Sequence, residues 1–147
     1  MSDLPEYPKQ LISRIAQEID MGMVCYFNPD TFEMESVLGE SYNLYGDEEF
    51  EEFYQEVYDK VDKWNRCMRI DPPEAYISFK IMEGFIENRI PSSDGIKKYL
   101  LNALSGRKPF RHFKSVIDGS RYRQDWFDYK QVQLEEFVLG QLGDTAQ

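Results

Sequence analysis

Apolar positions set the period along the first part of the chain. Leu11, Ile12, Ile15, Ala16 and Ile19 recur at spacings of three and four and predict a helix over 8–19. Asp20-Met21-Gly22 closes it, with Gly22 suited to the left-handed position after a helix. The pattern then changes. Met23 to Phe27 is a run of strand formers, Asn28-Pro29-Asp30-Thr31 suits a type I turn, and Phe32 to Leu38 mostly alternates. Together they predict a β-hairpin. Residues 39–46 read as a polar, tyrosine-containing loop. Asp47 is placed to cap a helix over 47–62, whose first turns hold Glu48, Glu49, Glu51 and Glu52, where carboxylates favour the helix dipole. Phe50, Phe53, Tyr54, Val57, Val61 and Trp64 form its apolar stripe, and Asn65 to Ile70 reads as a short third strand.

The second half is helical in pattern. Asp71-Pro72-Pro73-Glu74 is a helix start, with Asp71 as cap and Pro72 at the first helical position. Ala75, Phe79, Met82, Phe85 and Ile86 form the buried stripe of that helix, which runs to about Asn88. Gly84 sits inside it at a cost of about 1 kcal/mol relative to Ala, so a close neighbour is expected there. Ile90-Pro91-Ser92-Ser93 breaks the chain and caps a helix whose apolar face is Ile96, Tyr99, Leu100, Ala103 and Leu104. Ser105-Gly106 ends it. A short helix from Pro109 carries Phe110, Phe113 and Ile117 on one side. After Gly119-Ser120 a last helix spans about 122–139, with Lys130 laying its stem along an apolar face, and residues 140–147 read as a frayed tail.

These elements predict one α+β domain over 1–147: a small antiparallel sheet, a hairpin plus a third short strand, packed against five or six helices. The core expected is Phe50, Phe53, Trp64, Phe79, Phe85, Leu100, Phe110, Phe113, Trp126 and Leu134. The 147 residues include ten Phe, ten Tyr and two Trp, enough to fill such a core and to exclude global disorder. No apolar run approaches the roughly 18 residues of a membrane span, and the N-terminus lacks the features of a signal peptide. With Cys25 and Cys67 the only cysteines, a disulfide framework is excluded and a reducing cytoplasm is the expected compartment.

Charge divides the chain. Residues 1–71 hold 6 basic against 17 acidic side chains, whereas residues 72–147 hold 11 against 10. The second half contains one basic island: Arg107, Lys108, Arg111, Lys114, Arg121 and Arg123, opposed by Asp118. On a helix, Arg107, Arg111 and Lys114 share a face at i, i+4 and i+7, near a positive helix end, and their geometry suits an anion. The plainer reading is that these cations balance the acidic helix at 47–62 or stay solvated. An acidic chain with a net charge of −10 argues against non-specific binding to duplex DNA.

No catalytic constellation stands out. His112 is the lone histidine, and a helix-surface position accounts for it without a partner base or nucleophile. Cys25 and Cys67 read as packed, reduced thiols on two strands that could approach each other, with a redox role unsupported. The acidic cluster at 47–56 matches no calcium loop, and no phosphate-cradling glycine motif occurs, so neither metal nor cofactor is expected. Trp126 and Tyr129 follow Arg121 and Arg123, a pairing that could stack unpaired bases, although helical aromatics at this spacing are more often core.

Several short words give the chain a family likeness: Arg69-Ile70-Asp71-Pro72-Pro73, Met82-Glu83-Gly84-Phe85-Ile86-Glu87 and, above all, Ala103-Leu104-Ser105-Gly106-Arg107-Lys108-Pro109-Phe110-Arg111-His112-Phe113-Lys114, followed by Trp126-Phe127. In these the chain resembles the bacterial uncharacterised protein family UPF0158. His112 stands where that pattern has Arg, and the last helix is less charged. The resemblance implies a small cytosolic bacterial protein of mixed α and β structure, and brings no reaction, cofactor or catalytic residue. The residues themselves favour a non-enzymatic binding or adaptor protein. It would contact an anionic partner, expected to be a protein, through Arg107, Lys108, Arg111, Lys114, Arg121 and Arg123, with His112 and Trp126 as accessory residues. RNA or single-stranded nucleic acid is the alternative through the same face. An enzyme using His112 as acid/base and Arg111 as anchor for an anionic small molecule is the second alternative. A homodimer is compatible with the aromatic surplus.

Overall fold

The computed structural model describes residues 7–38 and 48–145, with the side chains of 48–51 and 144–145 outside that description. The expected loop at 39–46, the Asp47 cap and the side chains of Glu48, Glu49, Phe50 and Glu51 therefore lie outside the described residues. Described are α1 (Lys9–Asp20), β1 (Met23–Phe27), β2 (Met34–Leu38), α2 (Glu48–Asp62), β3 (Met68–Ile70), α3 (Ala75–Arg89), α4 (Ile96–Ser105), α5 (Pro109–Asp118) and α6 (Arg123–Thr145). This is the α+β arrangement expected, with a small antiparallel sheet ordered β2-β1-β3. Contacts divide the chain into two compact units: one built from the residues up to Pro72 and those from Leu134 onward, the other from Pro73–Gln133.

The first unit layers helices on the sheet. Along β1 the side chains alternate between faces. Val24 joins Val37, Val57 and Val61 in a cluster under α2, with Tyr26, Tyr54 and Trp64 packed against it. Cys25 and Phe27 are buried, as are Leu11, Ile12, Ile15, Ala16 and Ile19 on the predicted stripe of α1. Gly22 takes the positive φ (88°) that its place after α1 requires. The hairpin loop is pinned by Asn28, whose Oδ1 accepts hydrogen bonds from the backbone N–H of Asp30 (2.9 Å) and Thr31 (3.3 Å). Phe32 has φ 65° and half-exposes its ring, so β2 begins at Met34 rather than at Phe32. Phe53, expected in the core, is 53% exposed and meets Tyr54 edge-on; the buried stripe of α2 is carried by Val57 and Val61. Trp64 is half-buried.

The second unit has an aromatic core. Phe85, Ile86, Ile90, Leu100, Leu104, Phe113, Ile117, Tyr122 and Trp126 are buried together. Trp126 lies edge-on to Phe85 (5.4 Å between centroids) and to Phe113 (4.8 Å). Each such side chain, fully buried, contributes about 1.5–3 kcal/mol through apolar area alone. Gly84 has the close neighbour expected: a Cβ there would meet Tyr129 Oη at 2.6 Å.

Other helix boundaries also differ from the sequence reading. Asp71 does not cap α3, because its carboxylate accepts from Arg69 (2.9 Å and 3.0 Å); Pro72 and Pro73 precede the helix, and Glu74 is the N-cap. Asp94, not Ser92 or Ser93, serves the start of α4, its Oδ1 accepting from Ile96 N–H (3.1 Å). Residues 140–145 are not frayed: α6 runs through Gly140 to Thr145 with Leu142 buried, continuing the i, i+4 series of Leu134 and Val138. Tyr99, expected on the apolar face of α4, is exposed, because the buried face centres on Leu100, Ala103 and Leu104.

Candidate functional site

The basic island is organised by the start of α5. Pro109 occupies the first turn, and a residue before proline is disfavoured in the right-handed helical region. Lys108 takes the left-handed conformation, φ 50° and ψ 56°, and turns the chain sharply out of α4. Arg107 therefore precedes the helix and does not share an α5 face with Arg111 and Lys114, as an unbroken helix would have required. Phe113 and Ile117 face inward, Phe110 is half-buried, and Arg107, Lys108, Arg111, His112 and Lys114 are exposed.

The six cations of the island separate into two groups. Arg121 donates to Asp94 Oδ2 (2.8 Å) and to Tyr122 Oη (3.1 Å), while Tyr122 Oη–H donates to the same Asp94 oxygen (2.6 Å). That phenol, then the Ile96 N–H and the guanidinium, hold the Asp94 carboxyl below its ordinary range. Arg123 lies 3.6 Å from Asp118 and 4.8 Å above the Phe127 ring. Both arginines therefore serve the connections around α4, α5 and α6, paired with Asp94 and Asp118 rather than with the acidic helix at 47–62. Among the described residues, no carboxylate pairs with Arg107, Lys108, Arg111 or Lys114.

Lys108 and Arg111 border a cleft of about 690 Å³ between α3 and the start of α5. Its walls are Ala75, Tyr76 and Phe79 from α3 and Pro109 and Phe110 from α5; Lys80, Glu83, Lys108 and Arg111 supply the charge. Tyr76 is 58% exposed, and Lys80 Nζ lies 5.9 Å from its ring centroid. The sequence reading omitted the α3 side of this cleft. The signal was present: Tyr76, Lys80 and Glu83 stand at i, i+4 and i+7, off the buried stripe of Phe85 and Ile86. A second cleft, about 520 Å³, is bordered by the Asp94–Arg121–Tyr122 network and by Ile96 and Ser120.

The accessory candidates fare differently. His112 is exposed and lines neither of these clefts. Trp126 is 4% exposed between Phe85 and Phe113, so its ring offers no face for a base; this corrects its place among the accessory binding residues. Tyr129 is held against Phe85, with the Arg89 guanidinium 5.6 Å from its centroid. Lys130 lies over both Trp126 (5.6 Å) and Phe127 (5.4 Å), as its position predicted. Cys25 lies opposite Ile70 in the sheet while Cys67 precedes β3, and both thiols are free. Burial pushes the Cys25 thiol up to about 12, with Glu18 adding to the shift and Arg14 opposing it. Among the described residues no group of three His, Cys, Asp or Glu could hold a metal ion, and no helix is long and apolar enough to cross a membrane.

Comparison with known proteins places this arrangement in a family. The model of an uncharacterised protein family, UPF0158, matches residues 36–146. A UPF0158 protein of Pseudomonas aeruginosa is 35% identical over 81 residues, which are 54% of this chain and 52% of that protein. The chain thus spans about half the length of that curated relative. No solved structure matches. The chain belongs to the uncharacterised protein family UPF0158.

Proposed function

We propose that this member of UPF0158 is a non-enzymatic binding protein that contacts an anionic partner, most naturally another protein, through the basic surface of Arg107, Lys108, Arg111 and Lys114. One observation supports the reading above all. These four cations are exposed and unpaired among the described residues, whereas Arg121 and Arg123 are committed to Asp94 and Asp118. Unpaired guanidinium and ammonium groups on one short stretch attract an anion without first breaking internal pairs. Arg121 and Arg123 accordingly drop out of the contact surface. The setting we assign is a reducing cytoplasm, in keeping with the free thiols of Cys25 and Cys67.

The test is fluorescence anisotropy with labelled polyglutamate and a labelled short single-stranded RNA, at low and moderate salt. The proteins compared are the wild type and a variant with Arg107, Lys108, Arg111 and Lys114 all changed to Glu. Salt-sensitive binding that the variant loses, with its circular dichroism unchanged, is the expected result. Binding of RNA but not polyglutamate would move the partner from protein to nucleic acid. Failure of the wild type to bind either probe, or equal binding by the variant, would remove the basic surface as the site.

A further inference from the structure

Resting on that reading, we infer that the partner presents a short peptide segment with an aromatic or aliphatic side chain next to carboxylates, and that this segment docks in the cleft between α3 and α5. The cleft joins two chemistries. Tyr76, Phe79, Pro109 and Phe110 give it apolar walls, and Lys80, Lys108 and Arg111 give it three cations against the one carboxylate of Glu83. An apolar side chain would leave water against the rings, while adjacent carboxylates would meet the cations at the rim.

The form of the cleft favours a peptide over an enclosed small molecule. None of its lining residues is buried: Phe79, Pro109 and Phe110 are half-buried, and Ala75, Tyr76, Lys80, Glu83, Lys108 and Arg111 are exposed. It is an open groove, in which a side chain inserts while its own backbone passes over the top. A lipid tail or a cofactor calls for walls that cover most of its surface. The volume of about 690 Å³ leaves room for more than one anchoring side chain. Its occupant is therefore recognised by spacing between anchors and acids, as grooves that read short linear segments do.

The experiment is a display selection of random peptides of about 12 residues on the wild-type chain, with enriched peptides then measured by anisotropy against defined variants. Expected is enrichment of sequences with Phe, Trp, Leu or Ile beside Asp or Glu. Tyr76→Ala and Lys80→Glu alter exposed side chains and should each weaken those peptides by about tenfold, as loss of an interface anchor or charge pair does. Replacing the anchor in the peptide by Ala, with its charge kept, should do the same. Selection that yields no peptides, peptides without the acidic-apolar pairing, or peptides indifferent to both variants would overturn the inference. Polyglutamate separates this failure from that of the parent reading. Loss of polyglutamate binding in the Arg107, Lys108, Arg111 and Lys114 variant, with selected peptides that do not respond to Tyr76→Ala, would keep the basic surface and dismiss the groove. Dependence on neither would dismiss both.

Discussion

Gly84→Ala should destabilise this protein although alanine is the better helix former, and the sign should reverse when Tyr129 loses its hydroxyl. In a helix interior the replacement of Gly by Ala is worth about 1 kcal/mol in favour of folding. Here the new Cβ would stand 2.6 Å from Tyr129 Oη, and an ordinary contact requires the hydroxyl to retreat by about 1 Å. The ring is not free to do so without disturbance, because it packs on Phe85 (5.4 Å) beneath the Arg89 guanidinium (5.6 Å). Forcing one extra methyl into a packed contact costs about 1–3 kcal/mol, which offsets the propensity gain and leaves Gly84→Ala about 0–2 kcal/mol less stable than wild type. The next ring atom, Tyr129 Cζ, lies 3.7 Å from the same Cβ, already an acceptable contact. Tyr129→Phe removes the collision and leaves the ring in place. In that background Gly84→Ala should recover its gain of about 1 kcal/mol. The assay is urea unfolding followed by circular dichroism for wild type, both single variants and the double variant. A coupling of about 1–3 kcal/mol is expected for residues in direct contact. Additive effects, or stabilisation by Gly84→Ala alone, would refute the close packing of α3 and α6 at this point.

Asp94→Asn should lower the melting temperature at neutral pH and flatten its dependence on acid. The carboxyl is held below its ordinary value of 3.8, chiefly by the Tyr122 hydroxyl, so its contribution is present above that value and lost as pH falls through the lower folded one. A thermal melt series from neutral pH to strongly acidic conditions checks this, and identical acid profiles for the two proteins would contradict it. Cys67, exposed before β3, should be titrated by a thiol reagent in the native protein at mildly alkaline pH, while Cys25, buried and pushed up to about 12, should react after unfolding. Two rapidly reacting thiols in the native chain would show that β1 is open to solvent.

The sheet and the order of helices were legible because their signals are local. The spacing of Leu11, Ile12, Ile15, Ala16 and Ile19 matches the buried face of α1 residue for residue, and the hairpin follows from strand formers on both sides of Asn28. What escaped was decided by which side chains meet in the fold. Asp71 has the chemistry of a helix cap, yet Arg69 captures it first. Ser92 and Ser93 look like caps, yet Asp94 provides the bond, held in place by Tyr122 twenty-eight residues on. Residues 140–147 read as a terminal tail, yet α6 runs to Thr145 with Leu142 buried, despite the propensity cost of Gly140 and Gly143.

The candidate site shows the same division between pattern and placement. Six cations within seventeen residues look like one surface when read along the chain. Folding sorts them by which carboxylates come near. Asp94, carried on the connection before α4, takes Arg121, and Asp118 at the end of α5 takes Arg123. Arg107, Lys108, Arg111 and Lys114 lie around the left-handed turn at Lys108, and no described carboxylate comes within pairing distance. One apolar wall of the groove comes from α3, where Tyr76 and Phe79 stand more than twenty-five residues before Lys108. A scan for basic clusters finds only the charge, and a scan for buried stripes discards Tyr76 because it faces outward. The two signals become one site where α3 meets the start of α5. That is why reversing Lys80, which lies outside the basic island, should weaken the peptide contact as strongly as removing the Tyr76 ring.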